Sequence, residues 1–285
     1  MDGTFSVSPL MFVQLFAIHG LFKAEALPLV YALLTHKTQE LYSLVLQKLK
    51  DLCESFHINL PDPAFIVSDF EMAIINSCKN NFVNARRRLS FFHLGQNVYR
   101  KVQEVGLQAA YADPDDRDIK TGVHMLLSLA FVPPEDVIRA FETLRGELLE
   151  EVLPIADYFE NTYVRTRAAR TRRPAHRAPL YPIIEWNQYE TAITTGPRTN
   201  NTGIMEGWHF RFNALVGKPH PSFYQFLREL QKEQRDTEVM VSELSLGRRI
   251  KFPQHKKYRR IDASLREDRA KRELAHRRDT AATES

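Results

Sequence analysis

The sequence predicts an α/β protein: a mixed sheet with helices on its faces, followed by a helical block. Three observations carry this. Apolar runs of strand length fill the first hundred residues, at Phe12–His19, Pro28–Leu34 and Ala64–Ser68. Between them the period changes, with Leu41, Leu44, Val45, Leu49 and Leu52 recurring at three and four. From about residue 106 helical spacing takes over. At 285 residues, 44% hydrophobic and 26% charged, the chain has the size of about two domains and buries a core without staples. The longest apolar run, Leu27–Leu34, is eight residues, so no spanning helix is predicted. The Met-Asp-Gly-Thr start lacks the basic region of a secretory signal. Cys53 and Cys78 are too few for a disulfide framework or a four-ligand zinc site and read as buried, reduced thiols.

The elements follow in order. Phe5–Pro9 alternates as a short first strand, with Asp2 where that strand begins. Phe12–His19 places Phe12, Gln14, Phe16 and Ile18 on one face and Val13, Leu15 and Ala17 on the other, a strand buried on most of both faces. Pro28–Leu34 is the third strand. Thr38 is the N-cap of a helix of about 15 residues. Ala64–Ser68 is a buried strand ending in Asp69, and a short helix with Met72, Ile74 and Ile75 inward follows. Leu89–His93 reads as a fifth strand and Leu94–Val105 as a helix. The order βββαβαβα, a meander followed by alternation, is that of the ribonuclease-H-like fold.

The remainder divides at three points. Residues 1–105 are the first part of the core. Residues 106–195 form a helical insertion, with helices around Val123–Phe131, Val137–Leu144 and Leu148–Tyr163 and an exposed Arg-rich loop at Arg165–Arg177. Residues 196–247 complete the core with two helices. In the first, Ile204–Val216, the apolar stripe is Ile204, Met205, Trp208, Phe212 and Leu215, and Glu206 lies away from it beside Phe210 and Asn213. The second runs from about Ser222 to Glu243. Residues 248–285 are a basic tail, a loose helix or disordered.

Charge is unevenly spread. Arg248–Arg278 holds 13 Lys/Arg against 4 Asp/Glu, a local +9 that leaves −5 for the rest of a chain whose total is +4. Arg165–Arg177 adds six Arg and no acid. Such asymmetry points to a polyanionic partner, nucleic acid above all. The alternative for Arg248-Arg249 and Lys256-Lys257 is a solvated tail or a nuclear-import signal.

Three carboxylates fall where one fold would use them. In a ribonuclease-H-like sheet the first and fourth strands are neighbours, which sets Asp2 beside Asp69. Two such groups repel unless a cation sits between them, and Mg²⁺ takes oxygen ligands of this kind. Glu206, on a flanking helix, would complete a two-metal site for cutting phosphodiesters.

Several blocks then resemble the core of Mutator-like element (MULE) transposases: Asp-Gly-Thr-Phe at 2–5, Gln-Leu-Phe-Ala-Ile-His-Gly at 14–20, Pro-Leu-Val-Tyr-Ala-Leu-Leu at 28–34, Ser-Asp-Phe-Glu at 68–71, Phe-Phe-His-Leu at 91–94, Arg-Thr-Asn-Asn at 198–201 and Glu-Gly-Trp-His at 206–209. They come in the family's order from residue 2 to about 247. The resemblance implies a DDE triad of Asp2, Asp69 and Glu206 as catalytic residues and metal ligands, with two Mg²⁺ (or Mn²⁺) ions. It implies DNA strand cleavage and transfer at transposon ends, DNA (transposon ends and target) as partner, a homo-oligomer on DNA, no membrane association, and a nuclear location. Asn200, Asn201, His209 and Arg211 are candidates for orienting phosphates, followed by Arg86 and Arg88 with Arg87 between them. Arg248, Arg249, Lys256 and Lys257 are DNA-contact candidates in the tail. His93 is an accessory candidate near the scissile phosphate; the Cys that the family often has three residues before it is Ser90 here. The half-strand preceding the first catalytic Asp is absent. Truncation at the N-terminus is therefore expected, with Asp2 frayed and cleavage weak. The rival reading is a catalytically weak, transposase-derived DNA-binding or regulatory protein, or an inert relic.

Overall fold

The computed structural model describes residues 1–23, 25–115, 117–165, 178–194 and 202–248; for residues 193–194 and 202–206 the description stops at the backbone. The elements are β1 (Asp2–Thr4), β2 (Gln14–Phe22), β3 (Glu25–Leu34), α1 (Gln39–Ser55), β4 (Phe65–Ser68), α2 (Met72–Asn81), β5 (Arg86–Leu89) and α3 (Phe91–Glu104). Then come α4 (Gln108–Ala112), α5 (Asp118–Ser128), α6 (Val137–Glu147), α7 (Leu153–Phe159), α8 (Ile183–Trp186), α9 (Tyr189–Thr194), α10 (Thr202–Val216) and α11 (Phe223–Ser245). The chain is α/β, with the predicted βββαβαβα order.

The strands form two small sheets where one was expected. β1, β2 and β3 make an antiparallel sheet in that order, with Asp2 opposite Ala17 and Thr4 opposite Leu15. β4 and β5 pair in parallel, Phe65 with Arg86 through Ser68 with Leu89. Met1 N donates to Val67 O at 2.8 Å, tying the start of β1 to β4 of the second sheet.

β2 shows why the first hundred residues take this shape. Successive side chains of a strand point to opposite faces, and β2 is covered on both. Phe16 and Ile18 pack with Tyr42 and Leu46 of α1, Ile74 and Cys78 of α2, and Ile66 of β4. Leu15 and Ala17 pack with Trp208, Phe212 and Val216 of α10 and Phe226 of α11. A third cluster, centred on Leu94, Val98 and Val102 of α3, joins Phe70 and Leu89 to Val123, Leu126, Phe141, Phe159, Tyr163 and Trp186. Among the described residues from 107 to 194, every regular element is helical.

Two strand assignments change. Phe5–Pro9 is a turn: Ser8 N–H and Oγ–H both reach Phe5 O, and Pro9 has no N–H to give a ladder. The fifth strand is Arg86–Leu89, and Phe91–His93 opens α3. Ser90 is its N-cap, its Oγ accepting from His93 N at 3.4 Å. Phe91, Leu94, Val98 and Val102 then run at helical spacing, which the β-favouring Phe-Phe pair masks in sequence. Asp2 is not frayed. It is 5% exposed, paired to β2, and followed by a Gly3 that leaves room for the buried Gln14 side chain.

Candidate functional site

Asp2 and Asp69 are brought together where β1 meets the end of β4. Asp2 Oδ1 accepts from Gly3 N at 2.7 Å. Its Oδ2 lies 3.1 Å from His209 Nε2 and 3.9 Å from His93 Nε2. The His209 contact is close in distance but is not aligned as a hydrogen bond. Burial alone would raise the Asp2 carboxyl. His209, through contact and charge, then the charge of His93 and the Gly3 N–H, outweigh burial and hold it below the ordinary carboxylate range.

Asp69 follows β4 directly, and its Oδ1 accepts from Glu71 N at 3.0 Å, an Asx turn that launches α2. Burial, first of all, pushes its carboxyl up to about 6. The charges of Asp2 and Glu71 add to this, while the Glu71 N–H and Lys37 oppose it. Two neighbouring carboxylates are thus driven apart, one ionised readily and the other reluctantly.

Histidines from three elements complete the cluster. His19 of β2 shares the face of Leu15 and Ala17, with its ring edge-on to Trp208 at 5.0 Å and 6.3 Å from the His209 ring. Burial pushes it down to about 3, so it is neutral at pH 7. His93 of α3 is also lowered by burial, against the opposing charge of Asp2. His209 of α10 is buried beside Trp208. The buried stripe of α10 comprises Trp208, His209, Phe212 and Val216, with Phe210 and Leu215 exposed. This is a rotation from the stripe predicted through Leu215. It turns Asn213 inward, where it accepts from Thr4 Oγ1 at 3.3 Å. Residue 206 lies one helical turn before His209 on the α10 backbone; the Glu206 side chain is outside the described residues.

The other predicted contacts are placed as follows. Arg211 bonds to Glu233 Oε1 at 2.5 Å, and the same oxygen takes Trp208 Nε1–H at 2.7 Å. Arg86, Arg87 and Arg88 form β5 itself: Arg87 meets Glu185 at 2.8 Å and Arg88 meets Glu190 at 2.6 Å, while the more exposed Arg86 is 3.9 Å from Glu190. Arg248 pairs with Glu243 at 2.8 Å. Asn200, Asn201, Arg249, Lys256, Lys257 and the Arg-rich run beyond Arg165 lie outside the described residues. Sequence reasoning missed His19, Glu71 and Lys37 at this site. The parity of His19 with Leu15 and Ala17, and Glu71 two places after Asp69, were the available signals.

Asp2 and Asp69 have the donor chemistry of a shared hard-cation site: both are carboxylates, and the charge of Asp2 adds to the cost of ionising Asp69. The set stops there, since no group of three or more metal-ligating side chains occurs among the described residues. Among those residues no helix is long and apolar enough to cross a membrane.

Fold and site together define an α/β protein with paired carboxylates at a two-sheet junction, flanked by histidines. The family model of the MULE transposase domain matches residues 1–97, about a third of the chain, and over this segment, which includes Asp2, Asp69 and His93, the chain is similar to Mutator-like transposases. No curated protein and no solved structure matches the chain.

Proposed function

We propose that the chain is a DDE-type transposase domain with a ribonuclease-H-like core, acting in Mg²⁺- or Mn²⁺-dependent cleavage and transfer of DNA strands at transposon ends. The observation that carries this reading is the approach of Asp69 to Asp2 within a segment of Mutator-like sequence. Asp2 and Asp69 would hold one ion between them, and Glu206, on the helix that delivers His209, would hold the second. The chemistry such ions supply is activation of the attacking water and stabilisation of the leaving 3′ oxygen. The protein's own part is positional. Ladder pairing and the Gly3 N–H fix Asp2, the Glu71 N–H fixes Asp69, and His93 is 3.9 Å from Asp2 on the side opened by α3. The partner is DNA, at the transposon ends and the target, engaged by a homo-oligomer in the nucleus.

Nicking of supercoiled plasmid tests this. Wild type should nick with Mg²⁺ and not with EDTA, and Asp2→Ala, Asp69→Ala and Glu206→Ala should each abolish it. One observation favours the second reading, a DNA-binding or regulatory protein with weak catalysis: His209 lies against the Asp2 oxygen that an ion would need. Equal, trace nicking by wild type and Asp2→Ala, with DNA binding intact, would select it.

A further inference from the structure

Lys37 lies one residue before the N-cap of α1, in the link from β3. Its ammonium is 3.5 Å from Glu71 Oε2 and 3.9 Å from the centre of the Phe5 ring. Phe5 immediately follows β1, three residues after Asp2. Glu71 is two residues after Asp69 and donates its N–H to it. The Lys37–Phe5 pair therefore borders the acid pair from the strand ends that carry both aspartates.

We propose that Lys37 and Phe5 form a DNA-strand contact at the edge of the acid pair, Lys37 on a backbone phosphate and Phe5 against the neighbouring sugar or base. The proposal rests on reading Asp2 and Asp69 as a DNA-cutting site. A phosphodiester approaching two carboxylates and Glu71 meets like charge, so a fixed positive charge is needed on the side where the strand enters. Lys37 supplies it as a compact point charge, the form in which lysine binds phosphate.

Both side chains are accessible. The Lys37 side chain is 37% exposed and Phe5 is 45% exposed. The Lys37 ammonium is the more open partner of its pair, 37% exposed against 22% for Glu71, so it is the group that can turn to a phosphate oxygen. Phe5 is an aromatic surface with a cation over one face, and base or sugar stacking beside a phosphate contact is how strands are gripped without sequence readout. The loop beyond Phe5 is anchored, since Ser6 O accepts from His220 N at 2.8 Å and Ser8 packs its hydroxyl on Phe5 O.

Affinity of the full chain for a fluorescein-labelled DNA duplex of mixed sequence, read by anisotropy in Ca²⁺, tests the contact. Ca²⁺ takes the same oxygen ligands as Mg²⁺. Between about 50 and 200 mM salt, Lys37→Ala should flatten the slope of log K against log salt by about 0.9, one phosphate contact, which is roughly 3.5-fold over that range. Lys37→Arg should keep the slope, and Phe5→Ala should weaken binding with the slope unchanged. Lys48→Ala, removing an exposed lysine paired only to Asp51 along α1, is the control and should match wild type. Lys37→Gln replaces the alanine variant if circular dichroism shows that the latter unfolds. A Lys37→Ala or Lys37→Gln slope equal to that of Lys48→Ala overturns the proposal, and if Asp69→Ala still abolishes nicking, the acid-pair reading survives alone. Should Asp69→Ala leave nicking intact, the acid-pair reading falls and this contact falls with it.

Discussion

Asp69→Asn in the metal-free protein gives the most direct test of the acid pair. An ordinary aspartate titrates near 3.8, and Asp69 is pushed up to about 6 by burial and by the charge of Asp2. An acid whose pKa is raised on folding binds its proton more tightly in the native state. Its stabilising contribution is therefore complete below about pH 3.8, falls as pH rises, and is lost above about 6. The gap of about 2.2, at about 1.36 kcal/mol per pKa unit, makes ionised Asp69 a burden of up to about 3 kcal/mol at pH 7.5. Asp69 is partly open to solvent, and screening reduces this to roughly 1–2 kcal/mol. Asparagine keeps the acceptor for Glu71 N–H and removes the charge. In EDTA at pH 7.5, Asp69→Asn should thus melt above wild type, by about 2–4 °C per kcal/mol for a chain of this size. At pH 4 the two should melt together. Mg²⁺ should then raise wild type by mass action and leave the variant unmoved. An Asp69→Asn protein that melts at or below wild type in EDTA at pH 7.5, or that gains equally from Mg²⁺, would show that the two carboxylates do not share a cation.

Further predictions concern the shell around the pair. Gly3→Ala drives a methyl group into the buried Gln14 amide, which is held by Tyr42 OH at 2.6 Å; overpacking of about 1–3 kcal/mol is expected in urea melts, and an unchanged midpoint would refute it. Glu233→Ala strands Trp208 Nε1–H and Arg211 and should cost roughly 2–3 kcal/mol. Glu233→Gln keeps the Trp208 bond and should cost clearly less, so equal losses would discount that bond. Trp208→Ala and Phe226→Ala should each cost about 3–5 kcal/mol, but only the former, next to His209, should diminish the Mg²⁺-induced rise in melting temperature. Deleting residues 249–285 should flatten the salt dependence of DNA affinity by about 0.9 for each phosphate that the tail engages; an unchanged slope would make the tail a solvated or localising segment.

The legible part of the fold was the part decided by local pattern. β2 and β3, α1 with its Thr38 cap, β4 with Asp69 directly after it, and α11 from about Ser222 all follow from periodicity and capping. Errors came where a local pattern had two readings. Leu89-Ser-Phe-Phe-His has strand composition, yet Ser90 caps a helix, and the strand is formed by the three arginines and Leu89 before it, with Glu185 and Glu190 paired to Arg87 and Arg88. The stripe of α10 was misjudged because a polar residue, His209, belongs to its buried face. A hydrophobic pattern cannot show that, since the partner that makes the burial tolerable, Asp2, is remote in sequence. Lys37 is invisible for the same reason: its neighbours Phe5 and Glu71 come from two other segments.

The distribution of the core explains why the site needs more than the family-matched segment. Residues 1–97 hold all five strands with α1, α2 and the first half of α3, and within them Phe16 and Ile18 find their partners. Leu15 and Ala17 do so only in part, with Val7, Tyr31 and Leu33. The rest of their cover is α10 and α11, and Thr4 on β1 bonds to Asn213, 209 residues away. Phe70 and Leu89, at the ends of β4 and β5, share a cluster with Ile75 of α2, α3 and the segment from 118 to 186, in which Tyr181 packs edge-on to Phe70. Asp2 stands opposite Ala17 in the ladder, so the helix that buries Ala17 also seats His209 on Asp2, with residue 206 one turn before His209 on the same helix. The packing of Trp208 and Phe212 against β2 is thus what sets the rotation of α10 about its axis, and that rotation decides which of its side chains can reach the aspartates. Stability and site geometry are coupled through one interface. Exposing the second face of β2 costs the sheet its cover and the acid pair its third wall together.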